Sequence, residues 1–141
     1  MQVMIQLLTA FLGSLGFAVL FGMRRGHLFF AAIGGFGVWG IYLLIDLLTG
    51  SLFFSSLCAA IFAVSYAELM AHLRKCPATL FVITAIIPLV PGSSLYYTMS
   101  SAVMHDLEAA RQYGQDTLIC GLAIAAGISF VEVLRDLRTS R

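Results

Sequence analysis

The run Ile86-Ile87-Pro88-Leu89-Val90-Pro91-Gly92-Ser93-Ser94-Leu95-Tyr96-Tyr97 gathers the residue types in this chain best suited to holding a ligand. Two prolines three apart supply no N–H and push the residues before them out of helical geometry, so an ordinary helix cannot pass through. Gly92 permits unusual dihedrals, and Ser93 or Ser94 is placed to cap a helix that restarts. A restart leaves backbone N–H groups unpaired and turns the positive end of a helix toward an aperture, a combination that holds carboxylates. The candidate binding set is therefore Pro88, Pro91, Gly92, Ser93 and Ser94, with Tyr96 and Tyr97 on the turn that follows. The bland alternative is a proline kink that only shapes packing. Two prolines, a glycine and two serines in one run favour the binding reading.

Ionisable groups inside apolar segments come next, because a charge in lipid is costly and is kept where it has work to do. Asp46, Glu68 and Glu132 are the three acids so placed. Asp46 and Glu132 lie near segment ends, where snorkelling to the interface is an ordinary fate. Glu68 precedes His72 by four residues, which puts both on one helix face where they share a proton or form a surface pair with each other or with Arg74. Glu68, His72 and Asp46 are the proton-coupling candidates. His27, His72 and His105 fall on different joints or helix ends, and Cys58, Cys76 and Cys120 stand alone without a CxxC pair, so no metal site is expected. The cysteines read as small core residues. The letters GxGxxG over residues 35–40 lie inside an apolar segment with no strand before them, so they are no dinucleotide loop. Gly34, Gly35, Gly37 and Gly40, like Gly121, Ala125 and Gly127, let helices approach closely. No Ser/His/Asp arrangement in a strand-turn context is present, and no cofactor is implied.

The elements that position these residues follow from composition. Of 141 residues 60% are hydrophobic and 11% charged, against about a quarter charged in a soluble domain. A mean hydropathy of +0.97 exceeds what a core of this size could hide, so the solvent is lipid. Five apolar segments, about 3–23, 28–49, 51–73, 77–104 and 117–134, are each long enough to span the hydrocarbon layer. They fill the length as one transmembrane domain over residues 1–141, with no room for an extramembrane globule. With no water to satisfy backbone groups, so few residues must cross as helices, which makes the fold class all-α with the fourth span broken at residues 88–92. The joints are residues 24–27, Gly50, residues 74–76 and the polar stretch 105–116, the last with room for a short interfacial helix. Basic residues do not precede the first segment, so it is retained and is no signal peptide.

Counting cations orients the chain. Arg24, Arg25, Arg74, Lys75, Arg135, Arg138 and Arg141 share one face if there are five crossings, and Arg111 falls on the other. The expected topology is N-terminus outside and C-terminus in the cytoplasm. A four-span alternative, with the fourth segment re-entrant, puts the basic tail outside and contradicts this pattern. A net charge of +1 without a Lys/Arg run leaves no footprint for nucleic acid.

Beyond the physical pattern, the chain resembles the threonine/serine exporter family, specifically the small membrane subunit of its split, two-chain form. The resemblance is carried by Tyr66-Ala67-Glu68 leading to Arg74, by Pro77-Ala78-Thr79 and Phe81, and by Pro88-Leu89-Val90-Pro91-Gly92 with Tyr96. It continues past Asp106 to the segment 121–127, covering most of the chain after about residue 60. The resemblance implies a secondary exporter in the bacterial inner membrane, moving threonine and serine or a small dicarboxylate such as succinate. It also implies a homologous larger subunit with about five spans and a cytoplasmic domain. Span parity echoes this: two five-helix units joined head to tail have opposite orientations, the architecture of inverted-repeat transporters with a site at the repeat interface. No internal repeat is detectable, so one chain is half of such a body. No ATP-binding loop is present, so energy coupling falls to an ion gradient, with protons carried through Glu68. The rival reading is a non-transporting membrane scaffold or assembly subunit with a dry, kinked fourth helix; an intramembrane hydrolase lacks any nucleophile-base pair.

Overall fold

A computed structural model describes residues 1–139. Arg141 and the side chain of Arg138 lie outside what is described, so Arg135 stands for the basic tail. The described chain is helical throughout, with no strand: α1 (Gln2–Leu20), α2 (Arg25–Thr49), α3 (Leu52–Arg74), α4 (Ala78–Ile86), a 3-10 turn (Ile87–Leu89), α5 (Gly92–Val103) and α6 (Leu107–Thr139). The fold is all-α. Helices α1, α2, α3 and α6 are each long and apolar enough to cross a membrane, and α4 with α5 forms a fifth, broken unit bent by 50°.

Local chemistry sets the joints. Gly22 and Gly50 take left-handed φ values of 67° and 60°, which glycine adopts without a Cβ penalty, and Gly50 ends α2 by donating to the Asp46 carbonyl at 2.8 Å. Lys75 closes α3 at φ 52°. Asp106 opens α6, its Oδ1 accepting from the Ala109 N–H at 3.1 Å. The polar stretch 105–116 is thus no separate joint or interfacial piece. After His105 and Asp106 it forms the first turns of α6, because a cap followed by Leu107, Glu108, Ala109 and Ala110 is good helix sequence whatever its hydropathy.

Two small-residue cores hold the bundle together. One packs Ala18, Met23, Ala31, Ala67, Met70 and Phe81; the other packs Val38, Ala59, Ala63, Ala85 and Leu89. In lipid, helices gain from close van der Waals approach rather than from leaving water, so alanine and glycine line the contacts and large side chains point outward. Leu47 is 82% exposed and Leu122 66%, as lipid-facing residues should be. Gly35 meets Ser14 of α1, where any Cβ would collide with its Oγ, and Gly127 lies against Ala60 and the Leu57 carbonyl of α3. Gly34 and Gly37 lie less tightly than Gly35, under the rings of Tyr66 and Phe62, where a Cβ would come within 2.8 and 3.0 Å. Gly121 differs from expectation: a Cβ there would meet nothing, because this residue faces away from the bundle.

Contacts also fix direction. Ala60 touches Gly127 and Glu68 meets Arg135, eight residues on in both helices, so α3 and α6 run parallel. The first core joins Met23, Met70 and Phe81, placing the 24–25 and 74–75 joints at one end of the bundle, and Arg135 joins them there. Because α4 leaves this end and α6 returns to it, the broken pair carries the chain from one end to the other. That geometry is a kinked crossing and not a re-entrant loop.

Candidate functional site

The break is built by its prolines. Pro88 and Pro91 lack the N–H groups that would continue the helical ladder, and the chain tightens instead into the 3-10 turn, with the Val90 N–H donating to Ile87 O at 3.2 Å. Gly92 N–H then donates to Val90 O at 2.7 Å, and Leu95 N–H to Pro91 O at 3.0 Å as α5 begins. Two expectations need correcting. Neither Ser93 nor Ser94 caps α5, because the cap position is Pro91 and both serines already lie inside the first turn. Gly92 uses no unusual dihedral, since it too is helical. The first-turn N–H groups of Ser93 and Ser94 consequently have no side-chain cap, as an aperture for an anion requires.

The bend swings α5 away from α2 and α3 and onto α6, leaving space on both sides of the break. One cavity of about 160 Å³ is bordered by Pro88, Pro91, Ser93, Ser94, Tyr42 and Cys120. The other, of about 250 Å³, lies between α1 and the break and is bordered by Gln6, Thr9 and Pro88. Trp39 borders both. Its ring stacks on Tyr42 at 4.9 Å, and its buried Nε1 has no hydrogen-bond partner among the described residues. A buried donor without a partner is costly and calls for a ligand or water. Cys120 reaches the break from α6: its Sγ lies 3.5 Å from the Leu89 carbonyl, freed by the break, and 3.5 Å from Ser56 Oγ. Cys120 is buried, whereas Cys58 and Cys76 are half-buried.

Not every residue singled out from the sequence gathers here. Tyr96 and Tyr97 pack edge to face at 5.5 Å, and Tyr97 lies 5.3 Å from Tyr113 of α6, down the exposed flank of α5. Asp46 is half-buried in the last turn of α2, at the opposite end of the bundle from Glu68. Glu68 and His72 do share a face of α3, and with Ser65 and Arg135 they line a cleft between α3 and α6 of about 800 Å³. Their carboxylate and imidazole are not paired, however. His72 Nδ1 lies 3.1 Å from the Glu68 backbone carbonyl, while the Glu68 carboxylate meets Arg135 Nη1 at 3.3 Å. Arg74 is not its partner either, since its guanidinium lies over the Phe30 ring at 3.8 Å. No group of three or more His, Cys, Asp or Glu side chains among the described residues is close enough to hold a metal ion.

The family described as "Threonine/Serine exporter, ThrE" matches residues 6–134, a stretch that reaches into all six helices and includes the lining of both cavities at the break. The chain belongs to the threonine/serine exporter family. This is a family of transporters and not of enzymes, and its multi-pass membrane character agrees with the apolar helices here. No curated protein and no solved structure matches the chain. For an exporter, the residues that sequence reasoning passed over are informative. Trp39 and Tyr42 sit one helical turn apart in α2 and stack beside the break, yet they read as two more aromatics in an apolar run. Cys120 and Arg135 face their partners only through the packing of α6 on α3 and the 3-10 turn, and no local pattern announces either.

Proposed function

We propose that this chain is one membrane subunit of a two-subunit secondary exporter that moves a small carboxylated metabolite outward across the bacterial inner membrane. The cargo is threonine or serine, or a dicarboxylate such as succinate. The observation that carries this is the break itself, flanked by two cavities and bordered by first-turn N–H groups without a side-chain cap and by the Trp39 Nε1, which has no partner among the described residues. The carboxylate would lie against the Ser93 and Ser94 N–H groups and hydroxyls, with Trp39 Nε1 as a further donor. Tyr96 and Tyr97 would then face the partner rather than the cargo.

A homologous larger subunit is supported by α5. This helix buries no residue, and Ser93, Ser94, Tyr96, Tyr97, Thr98, Ser100 and Ser101 make it rich in hydroxyls. Lipid is a poor solvent for such a surface and for the irregular backbone beside it. With the cation-bearing joints at one bundle end, the positive-inside pattern would put that end in the cytoplasm and the N-terminus outside. Coupling to protons would run through Glu68, His72 or Asp46. The test is export by inside-out vesicles carrying this chain with its genomic neighbour. Uptake of threonine or succinate that needs both chains and is lost with Ser93 and Ser94 together supports the reading. Normal uptake with both serines replaced by alanine makes the break a packing kink.

A further inference from the structure

Helix α1 is apolar over most of its surface, yet Gln2, Gln6, Thr9, Gly13 and Gly16 follow one another at steps of four, three, four and three residues, which sets all five on one face. In lipid such a stripe belongs against protein or against water. Gln6, Thr9 and Gly13 line the cavity of about 250 Å³ between α1 and the break, so the stripe fronts a space. A Cβ added at Gly13 or Gly16 would meet nothing within 4 Å, whereas Gly35 and Gly127 mark close helix approach. The cavity has room for several waters at about 30 Å³ each. Its α1 wall extends to the first turns of that helix, at the bundle end opposite Arg24 and Arg25.

Trp39 and Pro88 are the lining residues that this cavity shares with the 160 Å³ cavity beside Ser93 and Ser94. Pro88 is held in the 3-10 turn, so the indole is the movable part of the shared wall. Its ring lies on Tyr42, with centroids 4.9 Å apart and planes within 15° of parallel, and its Nε1 has no partner among the described residues. An indole anchored by a hydrogen bond must break it to turn, and this one has none to lose.

We infer that the cavity along α1 is the vestibule through which cargo leaves the break, and that Trp39 is the gate between the two. Stacked on Tyr42, the indole separates the serines from the vestibule. Turned into the space left by Gly13, it joins the two cavities. Gln6 and Thr9 offer the departing cargo neutral hydrogen bonds, weaker than those a charge makes, as a path of release requires. The inference rests on the exporter reading and adds its route of release.

The test is thiol accessibility in the assembly of this chain with its homologous partner subunit, in a background free of native cysteine. The probe is a charged methanethiosulfonate that does not cross the membrane, applied from the face that holds the N-terminus. It should modify Gln6→Cys, Thr9→Cys and Gly13→Cys about tenfold faster than Leu8→Cys and Leu12→Cys, which are exposed on another face of α1, because the reactive thiolate is disfavoured in lipid. Ser94→Cys should react slowly from that face while Trp39 is present, and about tenfold faster with Trp39→Ala. Should Trp39→Ala fail to insert, Gly13→Leu is the second variant. Its side chain enters empty space, so insertion is kept, and by filling the vestibule it lowers uptake by inside-out vesicles about tenfold. Equal reactivity on the two faces of α1, protection of the whole stripe by the partner subunit, or full uptake with Gly13→Leu overturns the vestibule. A Ser94→Cys rate indifferent to Trp39→Ala overturns the gate. Absence of uptake by the unsubstituted assembly overturns the exporter reading instead, whatever the thiols report.

Discussion

Ser93, Ser94 and Trp39 put the chemistry of the break into testable form. The serines offer first-turn N–H groups and hydroxyls at the positive end of α5, and Trp39 offers one buried N–H beside them. A hydrogen bond from a neutral donor to a carboxylate is worth about 1.5–3 kcal/mol, so Ser93→Ala with Ser94→Ala should weaken cargo affinity about ten- to a hundredfold while insertion is unaffected. Trp39→Phe keeps the ring that stacks on Tyr42 and deletes the donor. It should cost about tenfold in affinity in the same uptake assay, and an unchanged KM would show the indole nitrogen to be a packing residue with an unmet bond. The break was legible from type and spacing because a proline lacks its N–H in any surroundings, whereas the capping role expected of the serines was not, because Pro91 takes the cap position. Trp39 was not, because its meaning lies in what the bend leaves empty around it.

Among the helices, the broken unit and α6 show what hydropathy can and cannot tell. Pro88 and Pro91 mark the break unambiguously, since a missing N–H has the same effect in any surroundings. The start of α6 was hidden because residues 107–116 are polar, and polarity reports the solvent rather than the conformation; Asp106 and the helix formers behind it decide the structure. Local spacing pairs Glu68 with His72 or Arg74, four and six residues away, whereas its partner lies 67 residues on in α6. Small-residue contacts give the prediction at this scale. Gly35→Ala puts a methyl group against Ser14, 2.6 Å from its Cβ, so it should destabilise the purified protein by about 1–3 kcal/mol in thermal unfolding. Gly121→Ala meets nothing and should stay within about 0.5 kcal/mol of the parent. Equal effects would mean that α1 does not pack on α2 as described.

The whole molecule is a bundle with Arg24, Arg25, Arg74, Lys75 and Arg135 at one end and Arg111 toward the other, and its sidedness is directly measurable. Single cysteines at Lys75 and Gln112, in a background free of native cysteine, should label from opposite faces of the membrane, Lys75 from the cytoplasm. Labelling of both from one face would contradict the kinked crossing. The larger claim is that five such spans make half a transporter, because alternating access needs two bodies and α5, which packs on α6 alone, has no fully buried residue. Reconstitution tests it most directly. Purified alone into proteoliposomes, this chain should move no threonine, serine or succinate, and addition of its homologous partner subunit should bring transport. Robust transport by the lone chain would contradict the account and leave a homo-oligomer as the working unit.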